Sequence, residues 1–255
     1  MNLSNPFDLR GKLAVVTGGA SGIGVGIVTV LAEAGATVAI LDINDEGAQE
    51  LAQSLNDRGL SASAQFVDLG DEQSIVDACA AIQARHGVPW ALVNNAGLQD
   101  REVFLEGTAA EWDRMNRINA RAPFLLSREL GKAMVEGGAG GRIVNIASAA
   151  LSGSIIHGLA AYTGSKGAVL GLSKATAFEL VEHGITVNTI LPGAVATPGS
   201  IGAAGPAPDG PARRKLPLGM CMPEDMGAAV LDFVSAAGRK VTNQVLAVDG
   251  GFSLT

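Results

Sequence analysis

A chain of 255 residues, 47% hydrophobic and 17% charged, holds enough apolar material for one large α/β domain or two small ones. Its net charge of −7 argues against nucleic acid or anionic membrane as a main partner, because both require clustered cations. Cys79 and Cys221 lie far apart without metal-type spacing, the N-terminus lacks the apolar stretch of a signal peptide, and even the apolar run 228–237 is interrupted by Asp232. These features point to a cytoplasmic protein with no disulfide framework, no metal site and no membrane span.

Taken in chain order, Lys12–Thr17, Thr37–Asp42, Ser63–Asp68, Trp90–Asn94, Arg142–Ala147, Ile185–Ile190 and Gln244–Asp249 read as strands. Their apolar residues run continuously instead of alternating, which predicts strands covered on both faces, as in a parallel sheet. Helical stretches fall between them, near 23–34, 45–58, 71–86, 109–136, 160–183 and 223–237. This alternation predicts an α/β fold with a doubly wound parallel sheet of about seven strands and helices on both faces. No composition break divides residues 1–255, so one domain is expected. Pro198–Pro217, with five prolines, interrupts the rhythm and reads as a lid over a substrate site; Arg213, Arg214 and Lys215 read as its solvated edge.

The first strand runs into Thr17-Gly-Gly-Ala-Ser-Gly-Ile-Gly24 and then a helix. Gly18 suits the tight turn, Gly22 a close approach to a pyrophosphate, and Gly24 the packing of helix on sheet; Ser21 and Ile23 lie in the same turn. The free N–H groups opening the helix would face the phosphates. Asp42 stands eighteen residues past Gly24 at the end of the second strand, where a carboxylate can accept hydrogen bonds from ribose hydroxyls and would repel a 2′-phosphate. No cation in 43–46 offsets that repulsion, so NAD is expected over NADP.

Tyr162 is the single tyrosine, and Lys166 follows four residues later on what reads as the start of a helix. That spacing puts phenol and ammonium on one face. A phenol ordinarily ionises near pH 10; a cation beside it lowers that value, and two units correspond to roughly 2.7 kcal/mol. The pair is therefore a candidate acid/base for a carbinol oxygen.

With these motifs in this order, the sequence resembles a short-chain dehydrogenase/reductase of the compact single-domain branch over essentially its whole length. The glycine turn matches the family's cofactor motif, and Asn94-Asn95-Ala96-Gly97 its fourth-strand motif. Asn119, Ser148, Tyr162 and Lys166 match its catalytic tetrad. Asp68 and Leu69 resemble the adenine site; Pro192, Gly193, Val195 and Thr197 resemble the segment around the nicotinamide; Val248-Asp-Gly-Gly251 resembles the C-terminal strand signature. The resemblance implies a Rossmann-type fold and hydride transfer between nicotinamide and a secondary alcohol or ketone. In that scheme Tyr162 is the acid/base, Ser148 polarises the substrate oxygen, Lys166 supports the phenolate and holds the ribose, and Asn119 positions a water. It also implies a homotetramer pairing through the helices near 109–136 and 160–183.

Two departures stand out. Ser148 lies fourteen residues before Tyr162 where thirteen is expected, leaving Ser152 and Ser154 as rivals; Ser148 is preferred because it closes a strand. Thr242-Asn243-Gln244 replaces a commoner Thr-Gly-Gln and reads as a turn able to take positive φ. Beside Ser148 and Tyr162, the apolar residues Ala149, Ala150, Leu151 and Ile156, with Leu98, Val195, Met220 and Met222, predict a mostly apolar pocket for a neutral secondary alcohol. Gln99, Asp100, Arg101 and His157 are the polar candidates, with a solvated loop the favoured reading of His157. The alternatives are an NADPH-dependent carbonyl or 3-ketoacyl reductase and a non-catalytic dinucleotide-binding regulator.

Overall fold

Seven parallel strands form one sheet in the order β3-β2-β1-β4-β5-β6-β7 in a computed structural model that describes residues 5–153, 155–197 and 216–254. The strands are β1 Leu13–Thr17, β2 Thr37–Asp42, β3 Ser61–Phe66, β4 Ala91–Asn94, β5 Gly141–Ile146, β6 Ile185–Pro192 and β7 Val245–Val248. The helices are α1 Gly22–Glu33, α2 Asp45–Asp57, α3 Glu72–His86, α4 Ala109–Asn116, α5 Ala122–Gly137, α6 Ala160–Leu180 and α7 Pro223–Val234. The chain winds outward from β1 to β3, then returns to place β4 on the other side of β1, with Val15 opposite Leu92. That reversal opens a crevice beyond the carboxyl ends of β1 and β4, where α/β sheets bind ligands.

Successive residues of β1 serve opposite layers. Ala14 and Val16 pack with Ile27 and Leu31 of α1 and Met226, Val230 and Phe233 of α7. Leu13 and Val15 pack with Ile75 and Ile82 of α3 and Leu125, Leu126 and Leu130 of α5. Both faces are thus covered, which is why the strand sequences are continuously apolar; each fully buried Val, Leu or Ile contributes about 1.5–3 kcal/mol. Small residues set the closest helix contact. A Cβ on Gly26 would fall 2.2 Å from the Pro223 carbonyl carbon, and one on Gly227 would fall 2.7 Å from the Gly26 carbonyl oxygen.

The predicted helix over 109–136 is interrupted. Arg117–Arg121 form a π turn between α4 and α5, and Asn119 in that turn is buried. Pro123 has no N–H for the Asn119 carbonyl that an α-helical register would pair with it, so the helix changes register there. Strand β3 begins two residues earlier than expected, with Ser61 opposite Thr37, which frees Val67 and Asp68 from the sheet. At the far edge β7 pairs with β6 alone, leaving Val245 and Leu246 exposed where two-sided cover was expected. Asn243 adopts φ 57° before that strand, as its place in the turn predicts.

Candidate active site

One cavity of about 790 Å³ lies over the carboxyl ends of β1, β2, β4, β5 and β6. Its floor is the glycine turn, and the glycines there are dictated by contact. A Cβ on Gly18 would sit 2.8 Å from the Ala96 Cα, while one on Gly24 would sit 1.9 Å from the Gly18 carbonyl oxygen. Gly18, Ser21, Gly22 and Ile23 line the cavity; Gly24 packs behind it and holds the turn in shape. Ser21 caps α1 without a side-chain hydrogen bond, so the first N–H groups of that helix are left for an anion.

Asparagine and threonine side chains fix the turn to its neighbours. Thr17 Oγ1 accepts from the Asn95 and Ala96 N–H groups, and Asn95 Nδ2 donates to the carbonyls of Thr17 and Gly18. Asp42 is held at the cavity edge by N–H donors from Ala20 and Asn44, at 3.0 and 2.9 Å. Asp68 accepts from the Gly70 N–H, and it lines the cavity with Val67 and Leu69. Gly193 packs so closely on Asp249 that a Cβ there would meet its Cα at 2.6 Å. Pro192, Gly193, Val195 and Thr197 form the opposite wall, and Thr197 lies against Gly22. These features fit a dinucleotide: an uncapped helix N-terminus in the middle, a carboxylate at one end and a titratable pair at the other.

At that other end Ser148, Tyr162 and Lys166 line one wall. Lys166 Nζ donates to the Ile146 carbonyl at 2.9 Å and stands 5.8 Å from the Tyr162 ring centroid. Ser148 caps a short 3-10 turn, Ala149–Leu151, by accepting from the Ala150 N–H, and also hydrogen-bonds the Tyr162 hydroxyl. The turn accommodates the fourteen-residue spacing. Ser152, the rival, donates to the Ala149 carbonyl instead, and Ser154 lies outside the described residues.

The electrostatics correct one expectation. Burial pushes the Tyr162 phenol above its ordinary value, and the Ser148 hydrogen bond only partly opposes that. Burial also pushes the Lys166 ammonium down to about 8. Both shifts are set by burial.

Asn119 is present but not on the cavity wall. Its Oδ1 accepts from the Leu98 N–H, and its Nδ2 donates to the Leu98 carbonyl and to Ser165 Oγ. The side chain thus ties the segment after β4 to α6, and its Oδ1 would lie 3.2 Å from a Cβ on Gly97.

Of the residues expected to build an apolar pocket, Leu98 and Val195 line the cavity, whereas Ala149, Leu151 and Ile156 do not. Ala150 is buried with Met115, Leu159 and Tyr162 behind the wall, and His157 is exposed in the loop before α6; neither lines the cavity. Met220 and Met222 are exposed. Gln99 and Asp100 line the cavity as expected, joined by Arg114 and the apolar Leu98 and Ile118. Arg114, Ile118, Leu41 and Ile43 went unread in the sequence. Leu41 and Ile43 flank Asp42, and Arg114 precedes Ile118 by one helical turn, a spacing that could have revealed it. Most of the expected lid, with Arg213, Arg214 and Lys215, lies outside the described residues. Among the described residues no helix is long and apolar enough to cross a membrane, and no group of three metal-ligating side chains occurs.

A family model described as short chain dehydrogenase matches residues 12–203. The D-threitol dehydrogenase of Mycolicibacterium smegmatis is 39% identical over 99% of this chain and 97% of its own. A gluconate 5-dehydrogenase structure from Burkholderia cenocepacia, in complex with NADP and tartrate, superposes with a TM-score of 0.88 at 31% identity over 98% of each chain. A 3-ketoacyl-(acyl-carrier-protein) reductase from Brucella melitensis, complexed with NADH, gives 0.87 at 32% identity over 96% of this chain and 100% of that one.

Proposed function

The chain belongs to the short chain dehydrogenase family and interconverts a secondary alcohol and a ketone, and we propose that it does so with NAD(H), with Tyr162 as general acid/base, on a hydroxyl-rich substrate. The supporting observation is the convergence of Ser148, Tyr162 and Lys166 on one end of a cavity whose other end is the glycine turn and Asp42.

In alcohol oxidation Tyr162 takes the hydroxyl proton while Ser148 holds the oxygen in line; in ketone reduction Tyr162 returns it. The raised phenol keeps Tyr162 protonated at neutral pH and ready to donate, so reduction needs no prior adjustment. Oxidation needs that proton to leave, and Lys166, which titrates near 8, is the buried group able to exchange protons in this range. When bound, nicotinamide supplies the hydride acceptor or donor, and its oxidised ring adds a positive charge that favours phenolate. Asn119 has its side chain engaged by Leu98 and Ser165, so it would serve Lys166 by holding the segment after β4 against α6.

The choice of NAD rests on Asp42. Among the described residues the cavity-lining cations are Arg114 and Lys166, while Asp42 is flanked on the wall by Leu41 and Ile43. A 2′-phosphate there would meet a carboxylate and no compensating cation. The NADP in the Burkholderia relative gives the alternative a concrete form. Initial rates at 340 nm on secondary alcohols and polyols, with each coenzyme, test both: faster turnover with NADP would reverse the preference. A homotetramer is proposed on the exposed apolar side chains of Trp112 and Phe124 near the π turn, Phe178 on α6, and Val245 and Leu246 on β7.

A further inference from the structure

We propose that Gln99 recognises a second hydroxyl on the substrate, so that the enzyme favours polyols over monohydric secondary alcohols; this rests on the reading of the cavity as a secondary-alcohol site. The segment after β4 leaves the sheet beside the acid/base pair. A Cβ on Gly97 would lie 3.1 Å from Lys166 Nζ, and Leu98 packs on the cluster containing Tyr162. Gln99 follows two residues after Gly97, so their Cα atoms are at most about 7.6 Å apart. The residue is exposed and lines the same cavity as Ser148, Tyr162 and Lys166.

The chain is held on either side of Gln99. Leu98 donates its N–H to Asn119 Oδ1 at 2.8 Å and accepts from Asn119 Nδ2 at 2.9 Å, while Asp100 hydrogen-bonds Arg114 of α4. Two other polar side chains on this wall are engaged, Lys166 by the Ile146 carbonyl and Arg114 by Glu111 and Asp100. Gln99 has no hydrogen-bond partner among the described residues. Its amide therefore presents a carbonyl acceptor and an NH₂ donor from an anchored segment. A hydroxyl both donates and accepts, so either end of the amide can meet it, and no charge is needed. Ser148 and Tyr162 are occupied by the reacting oxygen, which leaves Gln99 for a hydroxyl on another carbon. A monohydric alcohol offers no such group.

Gln99→Met keeps an unbranched side chain of similar length and removes both hydrogen-bonding ends. Gln99→Ala, made alongside it, separates loss of the amide from a packing fault peculiar to methionine. kcat/KM is measured at saturating coenzyme for four-, five- and six-carbon alditols against 2-butanol, 2-pentanol and 2-hexanol. The wild-type enzyme is expected to favour at least one alditol over the monohydric alcohol of the same length by about threefold or more, the scale of one neutral hydrogen bond. In both variants that ratio is expected to fall by roughly three- to tenfold, through loss on the alditol. Tm and a fluorescence titration of NADH confirm that each variant is folded and binds coenzyme. A wild type that favours no alditol would overturn the inference while leaving the alcohol dehydrogenase reading intact. So would a ratio that stays constant in the variants, or one that falls only because the monohydric alcohols react faster. Failure to oxidise any alcohol with either coenzyme would sink the underlying reading, and the inference with it.

Discussion

The Lys166 ammonium lies 5.8 Å from the Tyr162 ring centroid, and both side chains are buried. Burial moves them in opposite directions, the phenol up and the amine down, so their ordinary values near 10 and 10.5 separate. The first proton leaves near pH 8, on the amine side.

The direction of reaction should therefore respond to pH with opposite signs. Alcohol oxidation requires a site that can accept a proton, so kcat/KM is expected to rise toward pH 8 and level off above it. Ketone reduction requires a proton to give, so its kcat/KM should fall above pH 8. Profiles measured in both directions on the same substrate pair check this; parallel profiles would contradict it.

Stability carries the same signature. The folded-state value of Lys166 is depressed, so between about pH 8 and 10.5 the unfolded chain binds a proton that the folded chain has released. This group therefore makes folding less favourable below pH 8, and that cost fades as pH rises through the window. Lys166→Met should show a higher Tm than wild type at pH 7, with the difference shrinking by pH 10, while activity is lost.

Asp42 offers a third test. Asp42→Ala removes the 2′-phosphate repulsion and two backbone anchors together. KM for NAD should rise by roughly tenfold and the preference for NAD over NADP should shrink. Coenzyme saturation curves for the wild type and the variant decide; an unchanged ratio would remove Asp42 from the role.

Much of this site could be read from the sequence, and the reasons are local. The glycine turn is legible because Gly18 and Gly24 stand where backbone atoms approach within 3 Å of a would-be Cβ. The Tyr162–Lys166 spacing is legible because helix periodicity fixes which residues share a face. The central strands are legible because two covering layers leave them no polar side. Other features depend on three-dimensional environment. No spacing announces that burial sets the direction of the Tyr162 shift. The π turn at Arg117–Arg121 has its one sequence sign in Pro123, which also fits an ordinary helix start. Arg114 reaches the cavity through Asp100, fourteen residues away.

Asn119 illustrates the difference in consequence. Its amide bridges Leu98 and Ser165, so Asn119→Ala should break three hydrogen bonds and loosen the segment after β4 from α6. Buried donors and acceptors left unpaired cost about 1–3 kcal/mol each. A lower Tm and a reduced kcat should appear together; Asn119→Asp, which preserves the acceptor for the Leu98 N–H, should retain more of both.

The central claim is that the Tyr162 hydroxyl moves the proton that accompanies hydride transfer. Single-turnover oxidation of a secondary alcohol by Tyr162→Phe, paired with a fluorescence titration of NADH, tests it most directly. The account predicts a rate reduced by about 10²–10⁴-fold with coenzyme affinity largely kept. Turnover close to that of the wild type, with the dinucleotide bound, would contradict it.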